Sequence, residues 1–208
     1  MASVVPFCAI RPTRDKVSLV ATRSYLSYSD ETLNEKLNNN PYTFLHIINP
    51  DFYEKNKAKD YTEKFNMVRA KFEDFNKKGV FISDNKKQFY IYQKIKENGH
   101  SFIGIIGASS VEDYINGNIK IHEQTIEKRE HLFKKYLDIT GFNAEAVLLT
   151  YPNHNTIDML IEEYSNKRAE YEFTTTNKSL HKLWLVNSDA DISTIQTAFS
   201  EVDNLYIA

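Results

Sequence analysis

The segment from Asp60 to Asn76 constrains the fold more than any other part of the chain. Tyr61, Phe65, Val68, Phe72 and Phe75 recur at spacings of four, three, four and three, which lines one face of an α-helix with apolar side chains. Asp60 with Glu63 three residues on forms an N-terminal capping pair. Lys77 and Lys78 suit the negative end of the helix dipole, and Gly79 suits a left-handed C-cap. Such a stripe is expected to point into a shared core. The competing reading, a partner-binding groove filler, is the weaker one at this spacing.

Around that helix the chain alternates short apolar runs with turn chemistry. Val4 to Ile10 reads as a first strand, limited by Pro6 to an edge or a late start, and Cys8 within it as a buried thiol. Val17 to Ala21 is a second short run. Ser29 caps a helix over Asp30 to Asn39, with Leu33 and Leu37 four apart. Thr43 to Ile48 reads as a buried strand and Val80 to Ile82 as a short one. Phe89 to Ile95 and Phe102 to Ala108 flank Glu97-Asn98-Gly99-His100, so they pair as an antiparallel hairpin. Gly104 and Gly107 mark a bulge or a close backbone approach in its second strand.

Ser110 and Asp113 start a one-turn helix, and Ile119 to Ile121 returns to an extended path. Thr125 or Glu127 opens a helix to Thr140, with Leu132, Phe133, Tyr136 and Leu137 inside and Gly141 as its stop. Ala144 to Tyr151 reads as a buried strand, Thr156 to Tyr164 as a helix, and Glu170 to Thr175 with Leu180 to Val186 as a second hairpin around Asn177-Lys178. Ser188 caps a further helix, and Leu205 to Ile207 forms a last strand, expected beside the first. An apolar strand at the final residues suggests the N-terminal portion of a longer protein.

Charge and composition exclude several classes. The formal net charge is −2 over 208 residues, which leaves no electrostatic footprint for nucleic acid or an anionic membrane surface. No apolar run approaches the roughly 20 residues of a membrane span. The N-terminus lacks a signal peptide's charged and apolar regions. Cys8 is the single cysteine and has no internal disulfide partner, so the cytoplasm is the expected compartment. The six histidines lack zinc-ligand spacing, and no phosphate-cradling GxxxxGK[ST] loop, dinucleotide fingerprint or GxSxG elbow occurs.

The polar cluster with the most chemical content lies between Lys120 and Arg129. An adjacent His122 and Glu123 at a strand end supply an acid, a base or a metal ligand. Thr125, Lys128 and Arg129 complete an anion site at a helix N-terminus. The bland alternative is a solvated turn whose acidic residues complement the helix dipole. Arg11, directly after a strand, offers a bidentate grip for a phosphate or carboxylate, or is an ordinary surface arginine. His46 reads as a satisfied core histidine, and His154 and His181 have no ligand-like neighbours in sequence.

The segments PFCAIRP, NPYTFLHIINPD, GASSVEDYINGNIKIHEQT, AEAVLLTYP, HKLWLV and LYIA resemble, in order, those of an uncharacterised prokaryotic family, domain of unknown function 1015. The most specific part is SVEDYxxGxIKxHExT, from Ser110 to Thr125. Family members continue past LYIA into Asp-Gly-His-His-Arg, a motif similar to one in ParB/sulfiredoxin-like free-serine kinases. The chain departs from the pattern at Ala21 to Tyr25 and at Ile126 to Glu130, so transfer is confined to His122, Glu123 and Thr125.

The expected fold class is α+β, one domain over 1–208 with a mixed, largely antiparallel sheet and helices packed on its faces. The resemblance implies a phosphotransferase acting on a small serine-like metabolite with ATP or ADP and Mg. Glu123 would hold metal or orient the hydroxyl, with His122 beside it, and Arg11, Lys120, Thr125, Lys128 and Arg129 would meet phosphate. The alternative is a non-enzymatic module recognising an anion or a partner. A small-molecule ligand is expected in either case, with no membrane or nucleic-acid partner.

Overall fold

A computed structural model describes residues 3–53, 56–121 and 126–208. The strands are β1 (Val4–Val5), β2 (Ile10–Pro12), β3 (Phe81–Ser83), β4 (Phe89–Ile95), β5 (Ser101–Ile106), β6 (Ala108–Ser109), β7 (Ile119–Lys120), β8 (Leu149–Thr150), β9 (Tyr171–Thr174), β10 (Leu180–Val186) and β11 (Leu205–Ile207). The helices are α1 (Val17–Val20), α2 (Asp30–Asn39), α3 (Leu45–Ile48), α4 (Tyr61–Lys77), α5 (Val111–Ile115), α6 (Glu127–Thr140), α7 (Asn155–Ser165) and α8 (Asp189–Ser200). The class is α+β, with small and mostly antiparallel sheets. The described residues divide into two compact units. One lies within Met1–Ala9, Ser83–Gln124 and Ala146–Ala208, the other within Ile10–Ile82 and Thr125–Glu145.

The first unit is built on an antiparallel sheet in the order β5-β4-β10-β9. Both expected hairpins form, with Tyr92 opposite Gly104 in one and Leu183 opposite Tyr171 in the other. Because side chains alternate across a strand, Phe89 and Ile91 share a face with their partners Val186 and Trp184. That face is covered by Ile157, Leu160 and Tyr164 of α7 and by Ile195, Ala198 and Phe199 of α8. Two polar groups tie the layers together: Tyr164 Oη donates to Asp191 Oδ2 at 2.7 Å, and Trp184 Nε1 donates to the Lys167 carbonyl at 3.0 Å. Tyr90 on the opposite face donates to Asp84 at 2.6 Å and accepts the Ala9 N–H at 3.0 Å. Burial and then the Asp84 carboxylate push its phenol up to about 12.

A second, three-stranded sheet of this unit runs β7-β11-β8. The last strand does pair, but its neighbours are β7, parallel, and β8, antiparallel, rather than the first strand. Val4–Val5 instead pairs with β6. The expected continuous strand from Val4 to Ile10 is broken, because Pro6 has no N–H for a ladder. An isolated bridge from Phe7 to Gln88 follows it, and Ile10 opens the separate strand β2. Cys8 is exposed, not buried. Of the segment from Ala144 to Tyr151 only Leu149–Thr150 forms a strand, and most of it is exposed, with Val147 at 67% and Leu148 at 68%. It runs at the margin of a three-stranded sheet, so its apolar run is not the buried strand that composition suggested.

In the second unit α4 is capped as expected, Asp60 Oδ1 accepting the Glu63 N–H at 2.9 Å. Glu63 accepts from Lys59 N at 2.6 Å, one residue before the cap. Gly79 closes the helix at φ +66°. Phe65, Val68 and Phe75 are buried, and Phe72 stacks on Phe142 with centroids 4.1 Å apart. Tyr61, the first residue of α4, departs from the expected stripe: it is 58% exposed, with its ring 5.9 Å from that of the buried Phe65. α2 forms over the expected residues, with Ser29 Oγ accepting the Thr32 N–H and Leu33 and Leu37 buried. Thr43 to Ile48 is not a strand. Leu45–Ile48 is a helical turn that buries Leu45 and Ile47 completely, since a short apolar run does not by itself separate helix from strand. On α6, Tyr136 packs edge-on against Phe65 at 5.3 Å, whereas Phe133, expected inside, is 44% exposed.

Candidate functional site

His122, Glu123 and Thr125, the centre of the polar cluster expected from sequence, lie outside the described residues. Lys120 is exposed at the end of β7, in the first unit. Arg11 is half-buried on β2, and Lys128 and Arg129 are exposed on the first turn of α6, all three in the second unit. Glu127 and Glu130 supply negative charge to that turn, and the Ile126 cap position makes no side-chain capping bond. Among the described residues, no group of three or more His, Cys, Asp or Glu side chains converges as a metal site.

The described residues do assemble a polar cleft elsewhere, at one end of the four-stranded sheet. The β4–β5 turn and the β9–β10 turn lie at the same end, because Leu180 is registered opposite Ile95. Between them opens a cleft of about 480 Å³ lined by Lys94, Lys96, Glu97, Asn98, Asn177 and Ser179. An ion pair from Lys178 to Glu97 joins the two turns. Lys178 adopts φ +57° to make its turn, a left-handed conformation uncommon outside glycine, Asn and Asp. Glu97 is therefore occupied, while Lys94 and Lys96 have no acidic partner among the described residues. Lys96 Nζ rests 4.9 Å from the Phe102 ring centroid, a contact that leaves its donors available.

Lys94 belongs to a row running across all four strands. Phe102, Lys94, His181 and Phe173 are successive cross-strand partners, so they share one face. Phe173 stacks on the His181 ring with 9° between planes. His181 Nδ1 lies 2.6 Å from Tyr92 Oη, and its Nε2 lies 3.3 Å from Thr175 Oγ1. Burial, followed by the charge of Lys94, holds the imidazole below its ordinary 6.5. Burial also raises the Tyr92 phenol. Both groups are thus neutral near pH 7. Thr175 Oγ1 lies 2.5 Å from Asn177 Oδ1 and 3.1 Å from the Ser179 carbonyl, which carries the network to the wall of the cleft.

Two unpaired ammonium groups, two amides and a hydroxyl around an open concavity make a donor-rich surface suited to an anion. Local sequence reading missed it because its residues come from two hairpins far apart in the chain. The available signal was the alternation in Phe89 to Lys96, which puts Tyr90, Tyr92 and Lys94 on one face, together with the Asn177-Lys178 turn.

No curated protein and no solved structure matches this chain. A match to the family described as Protein of unknown function (DUF1015) extends over residues 4–208, nearly the whole sequence, in agreement with the motif resemblance. The chain belongs to that family of proteins of unknown function.

Proposed function

We propose that this protein binds a small anionic metabolite bearing a phosphate or carboxylate in the cleft between its two hairpin turns. The observation that carries this reading is the pair Lys94 and Lys96, which line the concavity without a described acidic partner. A lysine ammonium meets a phosphate as a compact point charge. The surrounding Asn98, Asn177 and Ser179 add neutral donors that fix orientation.

A second reading, phosphoryl transfer from ATP or ADP with Mg to a serine-like metabolite, is favoured by the motif from Ser110 to Thr125. In it Glu123 would hold metal or orient the hydroxyl with His122 beside it, and Arg11, Lys120, Thr125, Lys128 and Arg129 are the candidate phosphate contacts. Calorimetric titration with inorganic phosphate, pyrophosphate, ADP and ATP, with and without Mg, tests both readings. Pyrophosphate binding is expected to weaken about tenfold in Lys94→Ala and again in Lys96→Ala, roughly 1.4 kcal/mol each. Unchanged affinity in the double variant removes the cleft reading. In the full-length protein, a phosphorylated serine-like product lost in Glu123→Gln establishes the second reading, and its absence from the wild-type full-length reaction ends it.

A further inference from the structure

Resting on the anion-binding reading, we infer that Tyr92, His181 and Thr175 form a positioning chain that turns the Asn177 amide into the cleft as a donor. The cleft then selects a ligand group that only accepts hydrogen bonds, such as a phosphate or carboxylate oxygen.

Proton accounting sets the direction of the chain. Thr175 Oγ1 carries one hydrogen, and Asn177 Oδ1 and the Ser179 carbonyl are both acceptors. Having spent its hydrogen on them, Thr175 accepts from His181 Nε2–H. A neutral imidazole protonated at Nε2 has a lone pair at Nδ1, so Tyr92 donates to it across 2.6 Å. Every link therefore points the same way, from Tyr92 through His181 and Thr175 to Asn177. The last separation, 2.5 Å, has the length of an O–H···O contact and is too short for an amide nitrogen. This places the oxygen of Asn177 against Thr175 and leaves its NH₂ for the cleft.

Stacking of Phe173 on His181 and the cross-strand row hold the imidazole in plane. None of Tyr92, His181 or Thr175 lines the cleft, so their effect on a ligand passes through Asn177.

The test uses pyrophosphate as probe and follows the Asn177 side-chain amide by ¹⁵N NMR alongside calorimetry on the full chain. Thr175→Val keeps shape but removes the hydroxyl, and Thr175→Ser restores it. Thr175→Val is expected to weaken binding about tenfold and to abolish the ligand-induced shift of the Asn177 amide, with Thr175→Ser close to wild type. His181→Gln, which retains one acceptor and one donor, is expected to preserve the shift, whereas His181→Phe loses it. Should Thr175→Val fail to fold, Asn177→Asp in the exposed turn replaces it, with a loss of at least tenfold expected from carboxylate repulsion. Wild-type affinity in Thr175→Val, or in Asn177→Asp where it stands in, overturns the positioning chain while the anion-binding reading survives. Wild-type protein that fails to bind pyrophosphate, or binds it as well in the double lysine variant, overturns both.

Discussion

A Cβ added at Gly107 would lie 2.9 Å from Phe89 Cε1 and 3.0 Å from Val4 Cγ1, whereas one added at Gly104 would meet nothing within 4 Å. Phe89 is fully buried in the core of the first unit, so its ring has nowhere to retreat. Gly107→Ala is expected to destabilise by about 1–3 kcal/mol through overpacking. Gly104→Ala is expected to stay within about 0.5 kcal/mol of wild type. Urea denaturation of the two variants decides the point, and equal losses would remove the close-approach argument. Both glycines signal the same thing in sequence, a weak place in a strand. Which one accommodates a neighbour depends on Val4 and Phe89, which reach Gly107 through the fold.

Elements were legible where cap, period and stop agreed. In α4 and α2 the capping side chain, the apolar spacing and the terminator all coincide, and both helices form at the expected residues. The hairpin of β4 and β5 follows from turn chemistry between alternating runs. Short runs without caps were ambiguous, which is why Thr43 to Ile48 became a helical turn. Within α4 the periodicity identified the face but not its depth. Phe75 is 4% exposed and Tyr61 is 58% exposed. Phe75→Ala is expected to cost about 3–5 kcal/mol, and Tyr61→Ala under about 1 kcal/mol. Chemical denaturation giving similar losses at both positions would mean that the stripe is buried or exposed along its whole length.

At the scale of the molecule, two histidines report on burial, one in each unit. Desolvation is the leading cause that holds His46 and His181 below 6.5. Below that value the unfolded chain binds protons that the folded imidazoles resist. Their contribution to stability is therefore complete above 6.5 and declines as pH falls through the window beneath it. The urea midpoint is expected to fall between about pH 7 and 5, with a shallower decline in the His46→Gln, His181→Gln double variant. An identical slope in that variant would assign the acid sensitivity to other groups. The α+β class, most helices and both hairpins were determined by sequence alone, because period, caps and turn residues act over a few positions. Family membership was legible for the same reason, in short ordered motifs. The polar cleft between the hairpin turns, the neighbours of β11 and the partner of Gly107 were decided only by tertiary structure. Each requires residues from distant parts of the chain to meet across a strand register. A side chain such as His181 carries no local mark of the lysine, tyrosine and threonine that the sheet brings to it.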